Sequence, residues 1–211
     1  DIKCFDPAMG SGHILVYMFD VLYEIYKKCG YISREIPKLI IENNLYGLDI
    51  DDRAYQLACF AVVMKGMKYN NRLLRNIEKE AERTGEEGIK LNLASIQETN
   101  TLIDIDISYI AGETSEKNYN MTKTFIEQFK NAKIYGSLLN IEEFDKMFLS
   151  KRLRDLITNP VKHLEYQSSK NRQVEDILRQ LIKQAQIMTY NGYDIVVTNP
   201  PYINSKYMNN E

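Results

Sequence analysis

Long apolar runs are missing from this sequence. None approaches membrane-spanning length and no signal peptide opens it, so a cytoplasmic protein with no membrane partner is expected. A surplus of basic charge is missing too: 27 Lys and Arg face 29 Asp and Glu, for a formal net charge of −2. A stand-alone nucleic-acid-binding domain carries excess Lys and Arg to neutralise phosphates. Charge therefore lends no support to a DNA partner, unless a basic surface is local or lies on another part of the protein. Cysteine is scarce: Cys4, Cys29 and Cys59 are odd in number, widely spaced and set among apolar residues. With only two histidines to join them, they show no metal-ligand spacing, and no metal site is expected. They read as small buried hydrophobes in a reducing compartment. Internal repeats and low-complexity tracts are absent as well.

What is present suits one soluble α/β domain. The 211 residues are 44% apolar and 27% charged, enough to bury a real core. Residues 2–5 read as a short strand running into Asp6-Pro7-Ala8-Met9-Gly10-Ser11-Gly12. A helix is predicted over about 13–28, where Ile14, Leu15, Met18, Phe19, Leu22, Ile25 and Tyr26 recur at helical spacing; Gly30 ends it. Ser33 is placed to cap a short helix through Pro37 to Glu42. Leu45 to Ile50 forms a second strand ending in acid. Asp51 or Asp52 then caps a helix of about 52–69, with Ala54, Leu57, Ala58, Ala61 and Val62 on one face. Strand, glycine-rich turn, helix, strand, acid, helix is the opening of a doubly wound parallel sheet. Residues 72–88 read as a solvated helix or loop, 89–97 and 104–110 as alternating strands, and 117–131, 141–157 and 170–189 as helices. The last carries a packing stripe of Ile177, Leu178, Leu181, Ile182, Ala185 and Met188. Asp194 to Thr198 is a β-branched, buried-type strand. It delivers Asn199-Pro200-Pro201-Tyr202 at its C-terminal end, where open α/β sheets place their sites.

Three motifs carry the chemistry. Gly10 and Gly12 let the backbone approach a ligand and open the next helix, with Asp6 at the strand end before them. The spacing departs from the dinucleotide Gly-x-Gly-x-x-Gly fingerprint, and the turn also reads as a tight strand-to-helix connection with no ligand. Asp49, at the tip of the second strand, is placed to accept both hydroxyls of a ribose; as a helix cap it would duplicate Asp51 and Asp52. Asn199-Pro200-Pro201-Tyr202 is the most specific of the three. Two prolines fix their own φ and hold the preceding residue out of helix. The Asn199 side-chain oxygen and the Pro200 carbonyl then offer two acceptors to one amino group. An amino group conjugated to a ring is a poor nucleophile because its lone pair is delocalised. Two acceptors on its two hydrogens pull it towards tetrahedral geometry and free that pair. Tyr202 offers a face on which a planar base stacks, and positioning carries most of the rate.

These motifs resemble those of the adenine-N6 DNA methyltransferases, whose catalytic domain is a Rossmann-like α/β fold that binds S-adenosylmethionine (AdoMet). Asp6 to Gly12 is similar to their cofactor loop, with Met9 where cysteine is common. Gly47-Leu48-Asp49-Ile50 is similar to their second motif, and Asn199 to Tyr202 to their catalytic loop. The longer stretches Asp6 to Leu15 and Tyr46 to Ala54 resemble more narrowly the PglX-type adenine methyltransferases of the BREX phage-defence system and related restriction–modification enzymes. The resemblance implies AdoMet as cofactor, held by Asp6, Pro7, Ala8, Gly10, Ser11 and Gly12, with Asp49 on the ribose and Ile50 beside the adenine. A further family element of Gly-acid-x-Leu type touches the cofactor adenine. Gly136-Ser137-Leu138-Leu139 is one counterpart, through Ser137 and Leu138, and Ser95-Ile96-Gln97-Glu98 competes for the role. The implied catalytic set is Asn199, Pro200, Pro201 and Tyr202. The implied partners are double-stranded DNA, bound by the full-length protein, with room for other defence-system proteins.

The resemblance also implies one AdoMet-binding and catalytic domain over 1–211, with an incomplete parallel sheet and a helix-rich insertion at about 70–190. The sequence opens on Asp1 rather than Met and stops just after a motif. It is therefore expected to be a fragment without the family's preceding segment and C-terminal target-recognition region. Alone, such a fragment is expected to be inactive and to bind AdoMet weakly, with 194–198 an unprotected sheet edge. The alternatives are methylation of a glutamine amide or an RNA guanine amino group, which Asn-Pro-Pro-Tyr also serves, and a non-catalytic AdoMet-binding module. The Asp6-Pro7 opening argues for adenine in DNA, because the glutamine-modifying family has an Asp-x-Gly-type opening there.

Overall fold

Four parallel strands lie between two helical layers in the computed structural model, which describes residues 2–84, 88–112, 115–142, 144–158 and 168–200. The strands are β1 (Cys4–Asp6), β2 (Leu45–Asp49), β3 (Asn92–Ser95) and β4 (Ile195–Val196), in the order β3-β2-β1-β4. Cys4 lies opposite Leu45 on one side and Ile195 on the other, and Leu48 opposite Ala94. Parallel neighbours cannot be joined by hairpins, so each connection crosses a face of the sheet. β1 reaches β2 through α1 (His13–Lys28) and α2 (Ile36–Leu39), and β2 reaches β3 through α3 (Asp52–Tyr69) and α4 (Leu73–Thr84). Between β3 and β4 the described residues form α5 (Asp104–Ala111), α6 (Glu116–Glu127), α7 (Ala132–Tyr135), α8 (Lys146–Thr158) and α9 (Ser168–Met188). That last connection returns over β2 and β1, so the strand order reverses between β1 and β4.

Alternation along the strands divides the core in two. Cys4, Leu45 and Leu93 face the first layer and pack with Phe19, Ile40 and Ala58. Leu48 and Ala94 face the second and pack with Phe129, Leu178 and Leu181. Each fully buried Leu, Ile or Phe among these is worth about 1.5–3 kcal/mol. Within the stretch 70–190, β3 belongs to the sheet and α9 packs across β2 and β3. The α9 stripe is buried as its spacing predicts, with Ile177 and Met188 at its margin.

Several local expectations differ from the structure. Residues 104–111 form a helix, not a strand. The Asp106 carboxylate accepts from the Ile103 N–H at 2.9 Å and so closes the first turn. Helical spacing then buries Ile107, Ile110 and Ala111 and leaves Ile105 exposed. Ser33 caps nothing: α2 starts after Glu35 without a side-chain cap and continues as a π-helical turn, Ile40–Asn44. That turn brings Asn44 inward, where it donates to the Ile2 carbonyl at 2.7 Å and accepts from the Tyr26 hydroxyl at 3.0 Å. On α3 the inward face is Ala58, Val62 and Gly66, while Leu57 is 57% exposed. Cys29 is exposed at the end of α1, Cys59 is intermediate, and only Cys4 is buried. The last strand is not buried: Val196 is 58% exposed, since the edge strand β4 packs chiefly on β1, whereas β3, the other edge, is covered by α3 and α9.

Leu178 is fully buried on α9, far in sequence from the strands it covers. Leu178→Ala should lower unfolding free energy by about 2–5 kcal/mol. A urea melt should show one cooperative transition moved to lower concentration, not a second transition split from it.

Candidate active site

β1, β2 and β4 end around one crevice, at the point where the strand order reverses. Open α/β sheets bind ligands there. Asp6 is the last residue of β1 and is fully buried. Its Oδ1 accepts from the Ala8 N–H at 3.1 Å. Its Oδ2 is buried and accepts from no donor among the described residues. Burial pushes the Asp6 carboxyl above its ordinary value; the Thr198 hydroxyl and the Ala8 N–H pull it down, and the Asp49 charge adds to the rise. A buried carboxylate oxygen lacking a donor is costly, and its retention points to a ligand that supplies one.

The glycine-rich turn follows directly. Gly10 and Gly12 have φ of +53° and +82°, the left-handed region that glycine enters without strain. Their surroundings differ. A β-carbon on Gly12 would lie 3.0 Å from Ala58, so this glycine lets α1 approach α3. A β-carbon on Gly10 would meet no atom within 4 Å, leaving open space over the loop. Gly12 caps α1 without a side-chain bond, and no acid occupies the first helical turn. The N-terminal N–H groups of α1 are therefore suited to an anionic or polar ligand group. Pro7 and Ala8 are half-buried and Ser11 is exposed on the turn, while Met9 points into the core.

Asp49 ends β2 and ties the turn down. Its Oδ2 accepts from the Gly10 N–H at 2.8 Å and its Oδ1 from the Asp51 N–H at 2.9 Å. A carboxylate offers about four lone-pair sites, so each oxygen retains acceptor capacity. The capping of α3 falls to Asp51, whose Oδ1 accepts from the Arg53 N–H at 2.8 Å. Asp49 is thus not needed as a cap. Ile50 follows, 49% exposed.

The Val197 N–H donates to the Phe5 carbonyl at 3.0 Å. Thr198 reaches the Asp6 carboxyl, and Asn199 and Pro200 stand exposed just beyond. Pro201 and Tyr202 lie outside the described residues. The structure therefore brings Asp6, Gly10, Asp49 and the start of the Asn-Pro-Pro-Tyr motif to one crevice. Both candidates for the adenine-side element also lie at the tip of β2. The turn Gly136–Leu138, which holds Ser137 and Leu138, places Gly136 so that a β-carbon on it would be 3.6 Å from Ile50 Cγ2. The Ile96 N–H donates to the Asp49 carbonyl at 2.7 Å. Sequence reasoning missed Thr198. Thr198 stood next to Asn199 in sequence, but nothing local linked it to Asp6.

Comparison with known proteins places this arrangement in context. The family of Eco57I restriction-modification methylases matches residues 43–211. The chain is 34% identical over 238 aligned positions to the adenine-specific methyltransferase BrxX of Escherichia coli O9:H4 (strain HS), covering 100% of this chain and 18% of that protein. It is 35% identical over 210 positions to the adenine-specific methyltransferase PglX of Lacticaseibacillus casei (strain Zhang), covering 99% of this chain and 16% of that one. A putative type II restriction enzyme and methyltransferase of Methanocaldococcus jannaschii is 37% identical over 91 positions, covering 40% of this chain and 7% of that protein. The chain thus spans less than a fifth of the length of these relatives.

The buried Asp6 carboxyl makes stability depend on pH. A carboxyl whose folded pKa is raised supports the fold fully below its unfolded pKa, and that support is lost as pH rises through the folded value. Asp6 therefore weighs against the fold at neutral pH. Asp6→Asn should melt at higher temperature than the parent at pH 8, and the gap should close towards pH 4. A gap of equal size at both pH values would contradict this account.

Proposed function

The chain belongs to the family of Eco57I restriction-modification methylases, and from that footing we propose that it is the AdoMet-binding and catalytic part of an enzyme that methylates the N6 amino group of adenine in double-stranded DNA, in phage defence. The observation that carries the reading is the convergence of Asp6, the Gly10 turn, Asp49 and Asn199 on one switch-point crevice. Two relatives are named adenine-specific methyltransferases, which favours adenine over a glutamine amide or an RNA guanine. Because the chain spans only part of those proteins, DNA recognition and any defence-system partner are assigned to the complete protein. The reading carries with it a cytoplasmic location; no described helix is long and apolar enough to cross a membrane.

The residues present suit AdoMet. The donor-free Asp6 Oδ2 suits a ligand that carries cationic and N–H groups. The remaining lone pairs of Asp49 suit two ribose hydroxyls. The space over Gly10 admits a ligand against backbone, with Pro7, Ala8, Ser11 and Gly12 completing the loop, and half-exposed Ile50 suits a purine face. Bound AdoMet supplies an activated methyl group. The chain's own contribution is to prepare the nucleophile. A target adenine leaves the duplex stack to enter such a site. The Asn199 side-chain oxygen and the Pro200 carbonyl accept its two amino hydrogens and localise the nitrogen lone pair. Pro201 stiffens the loop, and Tyr202 offers the base a stacking face. Holding the amino group in line supplies most of the rate, so no strongly basic side chain is required.

In the complete protein, Asn199→Ala should reduce DNA methylation by at least about a hundredfold, the scale of losing one positioned polar group. AdoMet affinity by calorimetry should stay unchanged. Asp49→Ala should instead weaken AdoMet binding. Methylation retained in Asn199→Ala would overturn the assignment.

A further inference from the structure

Beyond Ile50, four polar side chains from three parts of the chain meet. Asp52 lies in the first turn of α3. Its Oδ1 accepts from the Ser95 hydroxyl and, at 2.6 Å, from Gln97 Nε2. Its Oδ2 accepts from Lys133 Nζ at 3.3 Å. Gln97 Nε2 also lies 3.1 Å from Ser95 Oγ. Ser95 ends β3, and Lys133 belongs to α7, which runs directly into the Gly136–Leu138 turn beside Ile50. Leu138 on this turn is 89% exposed and Ile50 49%, so both sides of that contact carry an open apolar side chain.

The direction of the cofactor follows from the proposed function, on which this inference rests. The reacting end faces Asn199, past β4. The ribose meets Asp49 on β2. The purine therefore lies farther along the strand ends, on the β3 side, where this cluster sits. We infer that Asp52 is a positioning residue: by gathering Ser95, Gln97 and Lys133 it clamps the Gly136–Leu138 turn against Ile50 and so builds the wall that receives the purine. Asp52 itself touches no ligand. A lone half-exposed ion pair would hold a turn weakly. Here one carboxylate joins three elements through charge-assisted hydrogen bonds, which are stronger. Burial alone would raise the Asp52 carboxyl; Ser95, Gln97 and Lys133 outweigh it and hold the group below its ordinary value. Asp51 caps α3, which leaves Asp52 free for this task.

The test is calorimetry on the complete protein with two ligands, AdoMet and 5′-methylthioadenosine, which keeps the adenosine and lacks the amino-acid end. Asp52→Asn and Lys133→Ala should each weaken both ligands about tenfold, and Lys133→Arg should retain parental affinity. Turnover at saturating AdoMet should change by less than about twofold, separating positioning from general damage. Unchanged affinities, a loss confined to AdoMet, or a fall in turnover alone would each overturn the role of Asp52 and leave the AdoMet reading intact. Failure of the parent protein to bind AdoMet would overturn that reading, and this inference with it.

Discussion

β1 is paired on both edges, with β2 through Cys4 and Leu45 and with β4 through Cys4 and Ile195. All of these pairings are parallel, so every connection must travel over a face of the sheet. That single constraint produces two helical layers, two apolar cores and one place where successive connections diverge. The divergence opens the crevice, and it does so at the C-terminal ends of β1, β2 and β4. Asp6, Asp49 and Asn199 come to the same end of the sheet although Asn199 stands about 150 positions beyond Asp49 in the sequence.

The crevice is held together at a cost to the fold. Asp6 is buried with an oxygen that lacks a donor, and the Asp49 charge raises its pKa further. The Gly10 loop adopts a left-handed backbone with nothing packed above it. The unpaired Asp6 oxygen goes against what a purely structural turn would select, while the glycine lets the loop turn without strain and leaves open space. Local rules are broken where a ligand completes the structure. Nearby, Gly12 adopts the same backbone region, and there α3 leaves no room for a β-carbon.

Much of this was legible from residues close together in sequence. The helical spacing of α1 and α9 and the acid-tipped β2 were readable because period and caps are local properties. The same local reasoning failed where two periods overlap. Ile105, Ile107 and Tyr109 alternate as a strand would, yet Asp106 turns back on the Ile103 N–H and the segment becomes helical. It failed again where burial depends on neighbours. Leu57 sits beside apolar residues in sequence, but α3 turns another face inward, and Cys29 is exposed just past the end of α1. Val196 has the composition of a buried strand and is exposed because β4 packs chiefly on β1, whereas α3 and α9 cover β3, the other edge strand.

By itself the sequence determined the chemistry-bearing motifs, since each is a run of adjacent residues whose backbone preferences are set by glycine and proline. It left open which of three neighbouring carboxylates does what. Tertiary structure decided that: Asp49 receives the Gly10 loop, Asp51 caps α3, and Asp52 joins Ser95, Gln97 and Lys133. The physical reason is that a carboxylate's role is defined by its donors, and Gly10, Ser95 and Lys133 arrive from some 40 or 80 positions away only once the strands have paired.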